Sequence, residues 1–83
     1  MSGVRVTVRY FAGAQAAAGV AQEQVSASTV DELLSRLAEA PGGALSRVLA
    51  ASSFLVDGVS VREPAYRLSD GVTVDVLPPF AGG

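Results

Sequence analysis

Two segments near opposite ends of the sequence limit the fold more than any other feature. Residues 4–11 read VRVTVRYF and residues 72–77 read VTVDVL, so apolar and mostly polar positions alternate in both. Alternation with a period of two in β-branched residues is typical of a strand with one buried face. Both segments therefore predict strands whose valine sides face a core. Pro78 and Pro79 end the second strand, because proline cannot donate to a ladder.

One amphipathic helix is predicted between these strands. Its start resembles a capping box, in which the Thr29 hydroxyl accepts an early backbone N–H and Glu32 reaches back to the N–H of Thr29. Apolar residues then recur at helical spacing through Leu33 and Leu37, so one face of the helix is expected to be buried. Pro-Gly-Gly at residues 41–43 ends it.

Weaker signals fill the rest of the chain. Residues 12–19 predict a short helical turn or a loop, and residues 22–27 predict a weaker second strand. Residues 44–52 show a shorter helical period. Asp-Gly at residues 57–58 predicts a two-residue hairpin, because glycine accepts the positive φ that such a turn needs. Leu-Ser-Asp-Gly at residues 68–71 predicts another turn.

This order of elements predicts an α+β fold with a mixed sheet packed on one main helix. Placing the first and last strands side by side brings both valine faces under the helix, which is the β-grasp, or ubiquitin-like, arrangement. A chain of 83 residues has room for one small core. We expect that domain to span residues 1–77 and residues 78–83 to form a separate flexible tail.

The composition excludes most catalytic side chains. The sequence has no His and no Cys, and all of its basic residues are Arg. It therefore lacks a side chain that titrates near neutrality, the usual zinc ligands and an amine for Schiff-base chemistry. A reactive group in this protein would have to be an unusual one.

The charge pattern argues against nucleic acid and membranes as partners. Formal net charge is -2, no basic cluster is present for phosphate contacts, and no apolar run approaches the ~20 residues of a membrane helix. We expect a cytoplasmic protein, since no signal peptide pattern is visible. The acidic side chains are expected to form either an acidic face for a basic partner or ordinary solvated surface: Glu23, Asp31, Glu32 and Glu39.

The last six residues offer a reactive group of another kind. Pro78 and Pro79 are stiff and extended, so they project the following residues away from the sheet. Phe80 is an apolar anchor, and Gly82 and Gly83 lack the side chains that would block a narrow channel. A carboxylate on Gly83 is easily placed in another protein's active site. The competing interpretation is a frayed terminus without function.

Four motifs resemble the MoaD/ThiS family of sulfur carriers, and within it the MoaD branch, the small subunits of molybdopterin synthase. They are RYFA at 9–12, TVDEL at 29–33, LSDG at 68–71 and VLPPFAGG at 76–83. The resemblance covers nearly the whole chain, and its most specific part is the Pro-Pro-x-x-Gly-Gly ending. Where the family often has two acids after the last turn, this chain has Val72 and Thr73.

The resemblance implies a chemistry for the tail. An E1-like, MoeB-like adenylyltransferase would use ATP to adenylate Gly83, and sulfur would replace AMP to give a thiocarboxylate. A MoaE-like large subunit of molybdopterin synthase would supply the catalytic side chains that convert the pterin precursor to the molybdopterin dithiolene. This chain itself would bind no cofactor. The residues that would thread the tail into the partner are Pro78, Pro79, Phe80, Ala81 and Gly82.

An apolar surface near the tail is the candidate docking site. Phase places Phe11 and Leu77 on the side of the sheet away from the helix, and Val61 resembles a position of the family's apolar partner patch. We expect these residues and Phe80 to bind the large subunit and the activating enzyme. The alternative for Phe11 and Leu77 is that they close one end of a barrel.

Other functions compatible with the same tail remain open. The sulfur could serve thiamine or cysteine synthesis, because the tail chemistry is shared. The chain could also be a ubiquitin-like modifier joined through Gly83 to lysines of other proteins, or an interaction module with an inert tail.

Overall fold

The computed structural model describes residues 4–79, which form one mixed sheet and three short helices. Two strands and three helices come first, and three further strands complete the chain, as in an α+β domain. Their bounds are β1 Arg5–Tyr10, α1 Gly13–Ala18, β2 Gln22–Ser26, α2 Val30–Leu37, α3 Ala44–Ala51, β3 Ser53–Val56, β4 Val59–Ser60 and β5 Thr73–Leu77.

The sheet has five strands in the order β2-β1-β5-β3-β4. The first and last strands of the sequence, β1 and β5, are neighbours and run parallel, with Val8 beside Val74 and Tyr10 beside Val76. The remaining pairs in the sheet are antiparallel. The expected pairing of the two chain ends is therefore confirmed, and the topology is the β-grasp fold. This topology makes β5, the strand that leads into the tail, the central strand.

The core lies between the sheet and the helices. Val6, Val8, Val74 and Val76 are almost completely buried on one face of the sheet. The main helix α2 contributes Val30, Leu33 and Leu37, and α3 adds Leu45 and Leu49 to the same cluster. The sheet is thus covered by more than the single main helix that the sequence predicts, because α3 also presents a buried leucine edge.

The start of α2 differs in one detail from the predicted capping box. The N–H of Glu32 donates to Thr29 Oγ1 at 3.1 Å, as expected. The Glu32 carboxylate, however, accepts from the N–H of Ser28 at 2.7 Å, where the prediction named Thr29. Thr29 is extended and forms an isolated bridge with Arg67, and the preceding residue presents its N–H to the carboxylate. This hydrogen bond lowers the pKa of Glu32.

The two predicted aspartate turns also fix the central strands. Asp57 and Gly58 both have positive φ, which is the hairpin geometry expected for Asp-Gly. Asp57 Oδ1 in addition accepts from the N–H of Thr73 at 2.8 Å. Asp70 Oδ1 accepts from the N–H of Arg5 at 2.9 Å. The turns therefore hold the first residues of β5 and β1 in place.

Candidate functional site

The face of the sheet opposite the helices carries the outward residues of the neighbouring strands β1 and β5. Arg9 of β1 lies beside Asp75 of β5 in the parallel register. The N–H of Phe11 donates to the carbonyl of Val76 at 3.3 Å, so Phe11 continues the ladder one residue beyond β1. Phe11 and Leu77 are both half-buried. They lie on the side of the sheet predicted for them, at the end of β5 that leads into the tail.

An ion pair joins β1 and β5 on this face. Arg9 Nε lies 2.7 Å from Asp75 Oδ1, and Arg9 Nη2 lies 3.0 Å from Asp75 Oδ2. This bidentate geometry is the strong form of an arginine–carboxylate contact. Asp75 is only 9% exposed, and its hydrogen bond raises the pKa of Arg9. Arg9 therefore remains charged and its guanidinium is held in one orientation.

The same guanidinium contacts the aromatic ring next to it. Arg9 Cζ lies 5.4 Å from the centre of the Phe11 ring, within the distance of a cation–π interaction. Asp75 thus orients Arg9, and Arg9 in turn contacts Phe11. The sequence prediction missed Asp75. Its signal is present in the alternation, because aligning the valines of β1 and β5 places Arg9 and Asp75 opposite each other.

The placement of Val61 corrects the predicted patch. Val61 is 6% exposed and belongs to the core cluster. Its N–H donates to the carbonyl of Phe54, so it extends the hairpin on the same side as the buried Val56. Period-two alternation therefore points its side chain toward the helices, and the prediction that Val61 joins an exposed surface is wrong.

Leu55, and not Val61, lies on the face of the sheet opposite the helices. It pairs with Asp75 in the antiparallel register of β3 and β5 and is half-buried. Phe11, Leu55 and Leu77 are therefore the apolar residues around the Arg9–Asp75 pair, and we call them the open-face patch. Sequence reasoning missed Leu55, because the hairpin register is needed to assign its side.

The tail begins directly at the edge of this patch. Pro78 is half-buried and Pro79 is exposed. The remaining residues of the predicted tail, Phe80, Ala81, Gly82 and Gly83, lie outside the described residues. Between Pro78, Pro79 and α3 there is an open apolar groove of about 430 Å³. The root of the tail is thus flanked by the open-face patch on the sheet and by this groove beside α3.

Two of the acidic residues considered for a charged face have structural contacts. Glu23 accepts a hydrogen bond from the Tyr10 hydroxyl, and Glu32 caps α2. Burial, followed by the hydrogen bond to Glu23, raises the pKa of Tyr10. Within residues 4–79 no cluster of metal-ligating side chains is present. None of the helices within these residues has the length and the apolar character that a membrane span requires.

Comparison with known proteins relates this architecture to small carrier proteins. The ThiS family model matches residues 8–83. The small archaeal modifier protein 1 of Methanosarcina acetivorans is 25% identical, with a TM-score of 0.83 over 96% of this chain and 97% of its own. Comparison with curated protein sequences gives no significant match.

Two further structures share the fold at lower identity. A putative molybdopterin converting factor subunit 1 from Pyrococcus furiosus is 24% identical, with a TM-score of 0.77 over 93% of this chain and 99% of its own. Subunit 1 in a complex of subunits 1 and 2 of the Helicobacter pylori 26695 molybdopterin-converting factor is also 24% identical, with a TM-score of 0.77 over 96% of this chain and 100% of its own. With a family match that runs from residue 8 to residue 83, this chain belongs to the ThiS family of small, ubiquitin-like sulfur carriers and modifiers.

Proposed function

We propose that this chain is the sulfur-carrying small subunit of a molybdopterin synthase. The family match through residue 83 carries the sulfur-carrier part of this proposal. The Pro-Pro-x-x-Gly-Gly ending, which resembles the MoaD branch, favours molybdopterin over the other pathways. The absence of His, Cys and Lys supports the sulfur-carrier part, since a carrier needs a reactive terminus and no catalytic side chains of its own. The alternative pathways for the sulfur, thiamine and cysteine synthesis, use the same tail.

The proposed reaction takes place on the carboxylate of Gly83. A carboxylate oxygen attacks the α-phosphorus of ATP in the activating enzyme, pyrophosphate leaves, and an acyl-adenylate forms. Hydrosulfide, or a sulfur donor of the same oxidation state, then attacks the carbonyl carbon and AMP leaves. The resulting thiocarboxylate is the sulfur nucleophile offered to the pterin precursor. ATP is thus a substrate of the activating enzyme and not a ligand of this chain.

Pro78 and Pro79 direct the tail toward the partner in this proposal. Proline has no backbone N–H and a fixed φ, so the two residues leave the sheet as a stiff spacer. Phe80 and Ala81 follow it, and Gly82 and Gly83 enter the partner's active site, where a channel without room for a Cβ would select glycine. The open-face patch docks beside the tail and fixes its point of entry.

Intact-mass measurement tests the carrier chemistry. The full chain is incubated with an E1-like activating enzyme, ATP and sulfide, and we expect the mass gain of one oxygen-to-sulfur exchange. A variant lacking Gly83 is the matched control and should show no gain. A full chain that retains its mass while a known sulfur carrier gains sulfur in parallel would contradict the proposal.

A second measurement tests the pathway. The thiocarboxylate form is mixed with a molybdopterin synthase large subunit and the pterin precursor, and we expect the dithiolene product together with return of the carboxylate form. The unmodified chain serves as the control. Formation of the thiocarboxylate without any dithiolene would assign the sulfur to another pathway.

The similarity to a small archaeal modifier protein supports a second candidate function. In that case the lysine Nζ of a target protein attacks the activated Gly83 carbonyl, AMP leaves, and an isopeptide bond forms. This chain has no lysine, so its own side chains offer no such acceptor. Adducts on target lysines in a cell extract with ATP and the activating enzyme would favour the modifier, whereas a thiocarboxylate alone favours the carrier.

A further inference from the structure

The groove at the root of the tail has an apolar wall supplied by one stripe of α3. Its lining residues on that helix follow the spacing i, i+3, i+4 and i+7, which puts them on one face. They are Ala44, Arg47, Val48 and Ala51, with Gly13, Pro78 and Pro79 completing the lining. The buried Leu45 and Leu49 lie on another side of α3. The helix therefore presents a second, mostly apolar stripe that residues 4–79 leave open.

The nearest candidate occupant is the segment that follows Pro79. Pro79 lines the groove, so Phe80 is one peptide bond from its wall. Phe80 is also the sole large apolar residue among residues 80–83. A volume of about 430 Å³ is within the ~300–1,000 Å³ range of small-ligand pockets, which is ample for one aromatic side chain.

The length of this segment matches the groove. Four extended residues reach at most roughly 13–14 Å. The eight residues of α3 span about 12 Å at 1.5 Å per residue. A chain leaving Pro79 can therefore run along the whole exposed stripe of α3.

Charge also favours this occupant. Arg47 is the charged residue of the lining. Within residues 4–79 it forms no ion pair, whereas Arg9 and Arg36 each pair with an acidic side chain. The carboxylate of Gly83 lies within reach of the guanidinium by the length just given, and opposite charges attract most where water is partly excluded.

We propose that, in the resting carboxylate form, residues 80–83 fold back into the groove beside α3, with the Phe80 ring against Val48 and Ala51 and the Gly83 carboxylate near Arg47. The tail then has two positions, one docked on its own domain and one extended into a partner. The docked position protects the apolar ring from water while no partner is bound.

The consequence for sulfur transfer rests on the proposed function, although the docking itself does not. A partner that takes only the extended tail binds with an apparent affinity reduced by the extended fraction. If half of the molecules are docked, the apparent Kd for the activating enzyme rises about twofold.

Methyl NMR on the full chain, without any enzyme, tests the docking of the ring. The methyl resonances of Val48 and Ala51 are expected to carry a ring-current shift that disappears in Phe80→Leu, which keeps the apolar volume and removes the ring. A chain ending at Pro79 should show the same loss. The exposed Val59, in β4, is the control methyl and should not move.

Backbone relaxation tests the role of the charge. Arg47→Gln is expected to lower the heteronuclear NOE of Gly82 and Gly83, because their fast motion increases when the carboxylate loses its partner. Arg62→Gln removes the same charge from an exposed arginine outside the groove and should leave both values unchanged. Added salt should act in the same direction as Arg47→Gln.

Two results would overturn the proposal. One is that the Val48 and Ala51 methyl shifts are identical in the full chain, in Phe80→Leu and in the shortened chain. The other is that these methyls move only when the activating enzyme or large subunit is added, which would make the groove a partner's docking site. Both are independent of thiocarboxylate formation, which the mass measurement detects separately.

Discussion

The two faces of the sheet use the same strands for opposite purposes. On the helix-covered face, Val8 and Val76 are fully buried in an apolar core. On the open face, the adjacent residues Arg9 and Asp75 form an ion pair beside half-buried apolar side chains. Burial on the first face supplies the stability, and the second face is free to offer a surface to partners. A single residue step separates the two roles, because side chains alternate along a strand.

The largest expected effect is the loss of stability caused by a substitution in the core of the covered face. Leu33→Ala should lower the free energy of unfolding by about 2–5 kcal/mol, because Leu33 is 1% exposed and its removal leaves a cavity under the sheet. Urea denaturation followed by circular dichroism measures the change. Val59→Ala, at a residue that is 62% exposed, should stay within about 0.5 kcal/mol. Equal losses in the two variants would refute the assignment of the core.

The next effect is expected on the open face, in binding rather than in stability. Phe11→Ala and Leu77→Ala should each weaken binding to the large subunit about tenfold or more, as for central apolar contacts of an interface. Isothermal titration calorimetry measures the affinity. Val59→Ala, at an exposed residue of the edge strand β4, is the control. Unchanged affinity in both patch variants would leave the patch without a partner role and favour the alternative that Phe11 and Leu77 close one end of a barrel.

A smaller loss of binding is expected when the ion pair is removed and the open-face patch is left in place. Arg9→Gln and Asp75→Asn should each weaken the same complex less than Phe11→Ala does, because they change the orientation of the ring and leave it present. The double variant should bind no more weakly than the weaker single variant, since each change already breaks the pair. Additive losses would show that the two side chains act independently and would contradict the proposed alignment.

The smallest effect concerns Tyr10, a buried residue of the covered face whose hydroxyl donates to Glu23. Tyr10 holds its proton more tightly in the folded protein than in the unfolded chain, because its pKa is raised from 10.0. Its contribution to stability is therefore complete below pH 10.0 and is lost as the pH rises above that value. The urea midpoint is measured below and above this pH. The decrease between the two measurements should be smaller for Tyr10→Phe than for the wild type. Val59→Ala, at an exposed residue that carries no titratable group, should follow the wild type.

The sequence predicts the covered face better than the open one. Alternation in β1 and β5 identifies the buried valines, and helical spacing identifies Leu33 and Leu37. Both signals are local, and burial of one face makes the register unambiguous. The Asp-Gly turn identifies the hairpin because its backbone requires positive φ at both residues.

The open face depends on register between strands that are far apart in sequence. The pairing of Asp75 with Arg9 can be assigned only when β5 is aligned with β1. The face on which Leu55 lies can be assigned only when β3 is aligned with β5. The error at Val61 has the same origin, since a shift of one residue exchanges the two faces of a strand. Resemblance to a family patch did not supply this alignment, whereas the hydrogen bond of Val61 to Phe54 does.

The central position of β5 also decides how the domain responds to force. β5 is hydrogen-bonded to β1 on one side and to β3 on the other. A partner that pulls on the chain beyond Leu77 loads this strand along its length, so both ladders are sheared together instead of being unzipped bond by bond. The tail can be drawn into a narrow active site while the domain behind it resists extraction, with a mechanical lifetime governed by its unfolding rate.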